Sequence, residues 1–226
     1  MRRIPLVLVA ASLVLALTAC DPPAPGTTSS PEPSETVTES PTPTPTPTPT
    51  VAPAAADLVL TAEGMGTLVF GQAPSSDPAQ QMIAQDPAAC AEFAPAGTPE
   101  ATRWRPIAAY QTPDPLFGAS VTAAGTLERI DLFGSTVPAD GGIRVGSALS
   151  ELTAAHPDAA LVPSDLTDVY VVTGTHGTLQ FEVAKSDPTG YWAPGDIGHV
   201  EFIHATVTGY GTFTVVASEN IAGGCL

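Results

Sequence analysis

The pattern of apolar and polar positions divides the chain into three stretches. From Ile4 to Leu17 nearly every residue is apolar, over a length too short to span a bilayer as a mature helix. From Asp21 to about Ala55 the residues are mainly Pro, Thr, Ser and Glu, with strict alternation of Pro and Thr from Pro41 to Thr50. Such a segment builds no core, and its prolines favour extended polyproline II. From about Ala56 onward, short apolar runs recur between clusters of turn residues, the signature of strands.

Six runs predict strands because they are rich in β-branched and aromatic residues. They are Arg103 to Tyr110, Leu116 to Val121, Leu127 to Leu132, Val169 to Thr173, Thr178 to Val183 and His199 to Ala205. Gly174-Thr175-His176-Gly177 reads as a hairpin loop. Two helices are expected among them. For the first, Asp77 suits the N-cap, Pro78 the first position and Gln80 a capping box, and Asp86-Pro87 stops it. For the second, Ser147 caps, Leu149 and Leu152 form an apolar stripe, and Pro157 discourages continuation. Each is barely three turns, too short to be stable alone, so both are expected to lie on sheet.

Two spacings suggest an internal duplication. Gly66-Thr67-Leu68-Val69-Phe70-Gly71 and Gly142-Ile143-Arg144-Val145-Gly146 are both glycine-bounded, strand-like and followed by an expected helix, and their closing glycines lie 75 residues apart. The runs beginning at Leu127 and Val200 are offset by 73. The expected fold is therefore α+β, with two tandem repeats over about 58–135 and 139–220, each a short helix packed on an antiparallel three- to four-stranded sheet. On these residues, the part of the chain from Leu58 to Ala217 resembles the β-lactamase inhibitor protein fold and the related small-lipoprotein unit of the SmpA/OmlA type. That resemblance implies repeated helix-on-sheet units and, more distantly, an inhibitor function.

The amino-terminal pattern gains meaning from its flanks. Arg2 and Arg3 form a positive region before the apolar run, and Leu17-Thr18-Ala19-Cys20 follows it. This arrangement resembles the lipobox of bacterial lipoproteins. The resemblance implies a signal peptide over 1–19, a lipidated Cys20 and attachment to the outer leaflet of the cell membrane. Residues 20–55 are then a disordered Pro/Thr-rich linker, reaching on the order of 100 Å, and 56–226 a globular domain.

Charge and cysteine content narrow the partners. Without Arg2 and Arg3, five basic residues face 23 acids, about −18 in all, which disfavours nucleic acid and bare anionic lipid. With Cys20 lipidated, Cys90 and Cys225 are the two cysteines left, and in an exported domain they are expected to pair.

Candidate chemistry is sparse. No G-x-S-x-G elbow, S-x-x-K or phosphate-binding glycine loop is present. His199 and His204 are five apart, an odd separation that puts them on opposite faces of one strand, while His156 falls at a helix end and His176 in a turn. Asp165 and Asp168 lack the spacing of a calcium loop. No metal or cofactor is implied. Glu182 and Glu201 fall on neighbouring expected strands as a conceivable acid/base pair. The loop from Lys185 to Gly198 carries Tyr191 and Trp192, which read as aromatic anchors for a partner. The expectation is a non-catalytic envelope lipoprotein that binds an envelope or secreted protein, with a secreted enzyme inhibitor and an envelope hydrolase as alternatives. Nothing sets an oligomeric state.

Overall fold

Most of the β-rich runs become strands of sheet, although the one beginning at Arg103 ends at Pro106. The computed structural model describes residues 51–218 and 220–225. The expected signal peptide over 1–19, the lipidated Cys20 and the linker up to residue 50 lie outside the described residues. In chain order come a small meander of β1 (Leu60–Thr61), β2 (Gly64–Met65) and β3 (Leu68–Val69), then a ribbon of β4 (Ile83–Asp86) and β5 (Arg103–Pro106). They are followed by β6 (Phe117–Val121), β7 (Leu127–Leu132), the helix α1 (Leu149–Ala155), β8 (Ala160–Pro163), β9 (Thr167–Thr173), β10 (Gly177–Ala184) and β11 (Val200–Val207). The last six strands form one antiparallel sheet in the order β6-β7-β11-β10-β9-β8.

The expected α+β fold of two tandem helix-on-sheet repeats is therefore incorrect. The described chain is predominantly sheet, with one α-helix and sheets of 3, 2 and 6 strands, and the largest sheet draws strands from both supposed repeats. The first expected helix does not form. Asp77 does start a turn, its carboxylate accepting the Ala79 N–H at 2.9 Å, but Ile83–Asp86 then pairs with Arg103–Pro106 as β4 and β5. A three-turn helix is marginal on its own, so the pairing and the burial of Met82 and Ile83 decide the outcome. In the second supposed copy, Gly142-Ile143-Arg144-Val145-Gly146 is not a strand. Gly142 and Gly146 both have positive φ, which breaks an extended run.

The apparent match between the runs at Leu127 and Val200 has another origin. They are β7 and β11, neighbours in one sheet, paired antiparallel through Asp131 and His204. Their similar alternation reflects the shared environment of two central strands. The second helix does form, as the seven residues of α1, with Ala148 rather than Ser147 at its N-cap. The Glu151 carboxylate accepts the Ala148 N–H at 2.9 Å, while Ser147 Oγ accepts the Arg144 N–H. Leu152 anchors the helix in the core.

Alternation sorts the large sheet into two faces. Ile130, Leu179, Phe181, Val183, Ile203 and Ala205 join the hydrophobic core with the meander, β6 and α1. On the opposite face stand Arg129, Asp131, Gln180, Glu182, His204 and Thr206, and all six are buried. Their cover is the segment after β11, residues 208–218 and 220–225, which crosses back over the sheet and among the described residues forms no strand. Cys225 at its end is disulfide-bonded to Cys90, 135 residues earlier, so the expected pairing is present.

Candidate functional site

The strap over the polar face is held by hydrogen bonds from sheet side chains to its backbone. Arg129 and Asp131 form a bidentate pair, with Nε to Oδ1 at 2.7 Å and Nη2 to Oδ2 at 2.6 Å. Arg129 Nη2 also donates to the Asn220 carbonyl at 2.8 Å, and Asp131 Oδ2 accepts the Ala222 N–H at 2.8 Å. Glu182 accepts the N–H groups of Val215 and Val216 and the hydroxyl of Thr167. Gln180 Nε2 donates to the Gly211 carbonyl at 3.2 Å. Phe213 packs against both cation and imidazole, its ring 4.4 Å from Arg129 Cζ and 4.5 Å from the His204 ring. Gly118 on β6 supplies room for the strap, since a methyl group there would overlap the Ala222 carbonyl.

His204 is the exception in this matched set. Both its ring nitrogens are buried without a hydrogen bond, as is Gln180 Oε1 on the residue paired with it. Its Nδ1 stands 3.7 Å from Glu182 Oε1, too far for a hydrogen bond. Burial, reinforced by the Arg129 charge, pushes the imidazole down to about 3, so it is neutral and makes no ion pair at physiological pH. Burial also pushes the Glu182 carboxyl up, against the hydrogen bonds it accepts. Burial raises Asp131 in the same way, opposed by Arg129 and the Ala222 N–H.

Beside the strap, the sheet splays. β7 and β11 pair only from Arg129 and Thr206 to Asp131 and His204. Beyond that, β7 stays with β6, while the loop before α1 lies along the start of β11, Gly146 N–H to the Val200 carbonyl at 2.7 Å. Glu201 is the extra residue of a bulge in β11, because Glu182 pairs with Phe202 and Val183 with Val200. The separation leaves a cleft of about 270 Å³. Its walls are Leu132, Phe133 and Gly134 from the end of β7, Val145, Phe202 and Ile203, and Val215 and Ile221 from the strap. Asp131 and Glu201 are its two charged residues.

The aromatic loop adjoins this cleft. Trp192 is pinned, its Nε1 donating to the Leu166 carbonyl at 2.7 Å, and its ring lies 6.5 Å from that of Phe202. Tyr191 stands edge-on to Trp192 and is 50% exposed. A partly exposed apolar surface thus runs from Tyr191 over Trp192 and Phe202 into the cleft and out to Ile221.

The other sequence candidates are scattered. Glu182 and His204 meet beneath the strap, while Glu201 faces the cleft with His199 close enough to act on it, so the four form two separate pairs and not one site. His156 ends α1 and meets the Asp140 carbonyl, His176 pairs with Glu63, and Asp168 pairs with Lys185 at 3.0 Å. Sequence reasoning missed Arg129, Asp131 and Gln180, as well as the cleft itself. The signal for the buried set was Cys225, whose bond to Cys90 obliges the tail to return across the domain.

Among known proteins, no family model matches the chain and no curated protein matches it. The crystal structure of the uncharacterized protein yfeY from Escherichia coli is similar at 16% identity, covering 66% of this chain and 99% of that one, with a TM-score of 0.38. At that level neither fold nor function is carried across.

Proposed function

We propose that this is a cell-envelope lipoprotein whose exported domain binds another protein through the cleft and the adjoining Tyr191–Trp192 loop. The observation that carries the reading is the open, apolar-walled cleft continuous with the half-exposed Tyr191. Aromatic anchors beside a concave apolar site are the usual make-up of a binding hot spot. The lipobox-like Leu17-Thr18-Ala19-Cys20 supports anchoring at the membrane, and the Cys90–Cys225 disulfide suits an oxidising compartment. An inhibitor loop has to project into its target. Trp192 is tied to Leu166, which favours a surface that receives a partner.

A photo-crosslinking amino acid at position 191 of the full-length protein in intact cells tests this reading. A discrete crosslinked protein is expected, and it disappears when Ile221, on the far wall of the cleft, is changed to Trp. Crosslinks that persist in Ile221→Trp, or that never rise above background, would sink it.

A further inference from the structure

We propose that the cleft accepts one apolar side chain of a partner polypeptide that carries a lysine or arginine within a residue or two of it. This rests on the protein-binding reading above and adds the chemistry of the partner.

Size sets the first limit. An apolar cavity of about 150 Å³ is enough for benzene, and sites for drug-sized ligands begin near 300 Å³. A volume of about 270 Å³ fits one Leu, Met or Phe side chain with room to spare. Seven of the lining residues are apolar: Leu132, Phe133, Val145, Phe202, Ile203, Val215 and Ile221. The energetic content of the site is therefore burial of a hydrocarbon group.

Charge sets the second limit. Of the two carboxylates, Asp131 is committed, since both its oxygens bond Arg129 and one also takes the Ala222 N–H. Glu201 is not committed. Among the described residues no hydrogen bond ends on its carboxylate, and the bulge places it at the cleft with Phe202. Partial burial raises its affinity for a proton, nearby Asp196 adds to the rise, and His199 acts in the opposite sense. The arginines close by are occupied, Arg129 with Asp131 and Asn220, and Arg144 with the carbonyls of Ser135 and Thr136. Among the described residues, the cleft lining thus offers negative charge and no cationic side chain. A basic group beside the inserted side chain meets Glu201 and Asp196, whereas an acidic one meets them as like charges. The overall excess of acids attracts a basic partner from further away, in a manner that salt screens.

Methyl NMR of the full chain with three blocked tetrapeptides, Ala-Leu-Lys-Ala, Ala-Leu-Glu-Ala and Ala-Ser-Lys-Ala, tests the proposal at low salt. The first is expected to shift the methyls of Val145, Ile203, Val215 and Ile221 and to bind about fivefold more tightly than either of the others. Glu201→Gln is expected to abolish the preference for Lys over Glu and to keep the preference for Leu over Ser. Val145→Trp fills the cleft and removes the shifts. Ile221→Trp, at a half-exposed position, serves the same purpose without risk to the core. Equal binding of the Lys and Glu peptides overturns the proposal, as do shifts confined to residues away from the cleft or no shifts at all. If the peptides fail while the crosslink at position 191 still depends on Ile221, protein binding stands and the basic-apolar partner falls.

Discussion

The two faces of the large sheet are built from alternate residues of the same strands, yet they are covered in opposite ways. On β10, Leu179, Phe181 and Val183 face a core of meander, strands and helix, while Gln180 and Glu182 face the strap. An apolar face asks only for shape, so regular elements whose own hydrogen bonds are already satisfied can cover it. A buried polar face must be matched donor to acceptor, because an unpaired group there costs about 1–3 kcal/mol. Regular strands and helices have few backbone groups left to offer. The irregular strap has many, and its Val215, Val216 and Ala222 N–H groups and Gly211 and Asn220 carbonyls meet Glu182, Asp131, Gln180 and Arg129. The strap buries Val215, Val216 and Ala222, but none of its residues joins the main hydrophobic core, which gives the disulfide at its end a clear role.

Removing that disulfide is the strongest way to separate the faces. Cys90→Ser with Cys225→Ser is expected to lower stability by roughly 5 kcal/mol, the chain-entropy value for a loop of this length, read as a fall in the denaturant midpoint. Under native conditions, hydrogen exchange in the double variant is expected to accelerate first at the Val215, Val216 and Ala222 amides, while those of β9 and β10 stay protected. If strap and sheet amides lose protection together, the strap is an integral part of the fold and not a latched cover.

How much of this was legible beforehand follows from the same contrast. The runs of β6, β7, β9, β10 and β11 and the hairpin loop from Gly174 to Gly177 stood out, because period-two alternation is a local property. The pairing of Cys90 with Cys225 was legible by elimination. Polar members of an alternating strand normally mark a solvent face, however, and Glu182 departs from that rule by being fully buried. The strap itself has no periodicity to detect. The cleft arises where two strands separate in register, at the bulge of Glu201, and register is a long-range property that no local run contains. Tyr191 and Trp192 do lie together in the long loop, but only the geometry shows that one is pinned and the other left open.

A second comparison sets an ion pair against a core aromatic. Asp131→Ala is expected to cost about 3–5 kcal/mol, because it leaves the Arg129 charge buried without its partner. Phe181→Ala is expected to cost a similar amount, about 3–5 kcal/mol, through the cavity it leaves. Rescue tells the two apart. Adding Arg129→Met to an Asp131→Leu background removes the stranded charge and is expected to recover part of the loss. The shortfall of about 2 kcal/mol reflects the Ala222 N–H and Asn220 carbonyl left unpaired. Full recovery in urea unfolding would mean that the strap does not depend on these bonds.

The smallest effect at neutral pH belongs to His204, and its pH dependence carries the information. His204→Phe replaces a ring whose two nitrogens are unpaired with one that needs no partner, so a change within about 1 kcal/mol is expected at pH 7. Below that, the signs diverge. In the folded chain the imidazole titrates at about 3, whereas in the unfolded chain it does so near its ordinary value of 6.5. As pH falls through 6.5 the unfolded chain takes up a proton that the native site refuses, so the wild type loses stability until about pH 3. The loss is about 1.4 kcal/mol per unit, or about 2 kcal/mol by pH 5. The facing groups are Arg129, Asp131 and Glu182. The raised carboxyls act the other way, stabilising at low pH and losing that contribution as pH rises through their folded values, but they remain in the variant. The difference between the two proteins therefore isolates the imidazole. Urea midpoints at pH 7 and pH 5 should fall further in the wild type than in His204→Phe; parallel falls would show that the strap admits enough water to solvate the charged ring, and that the polar face is not sealed.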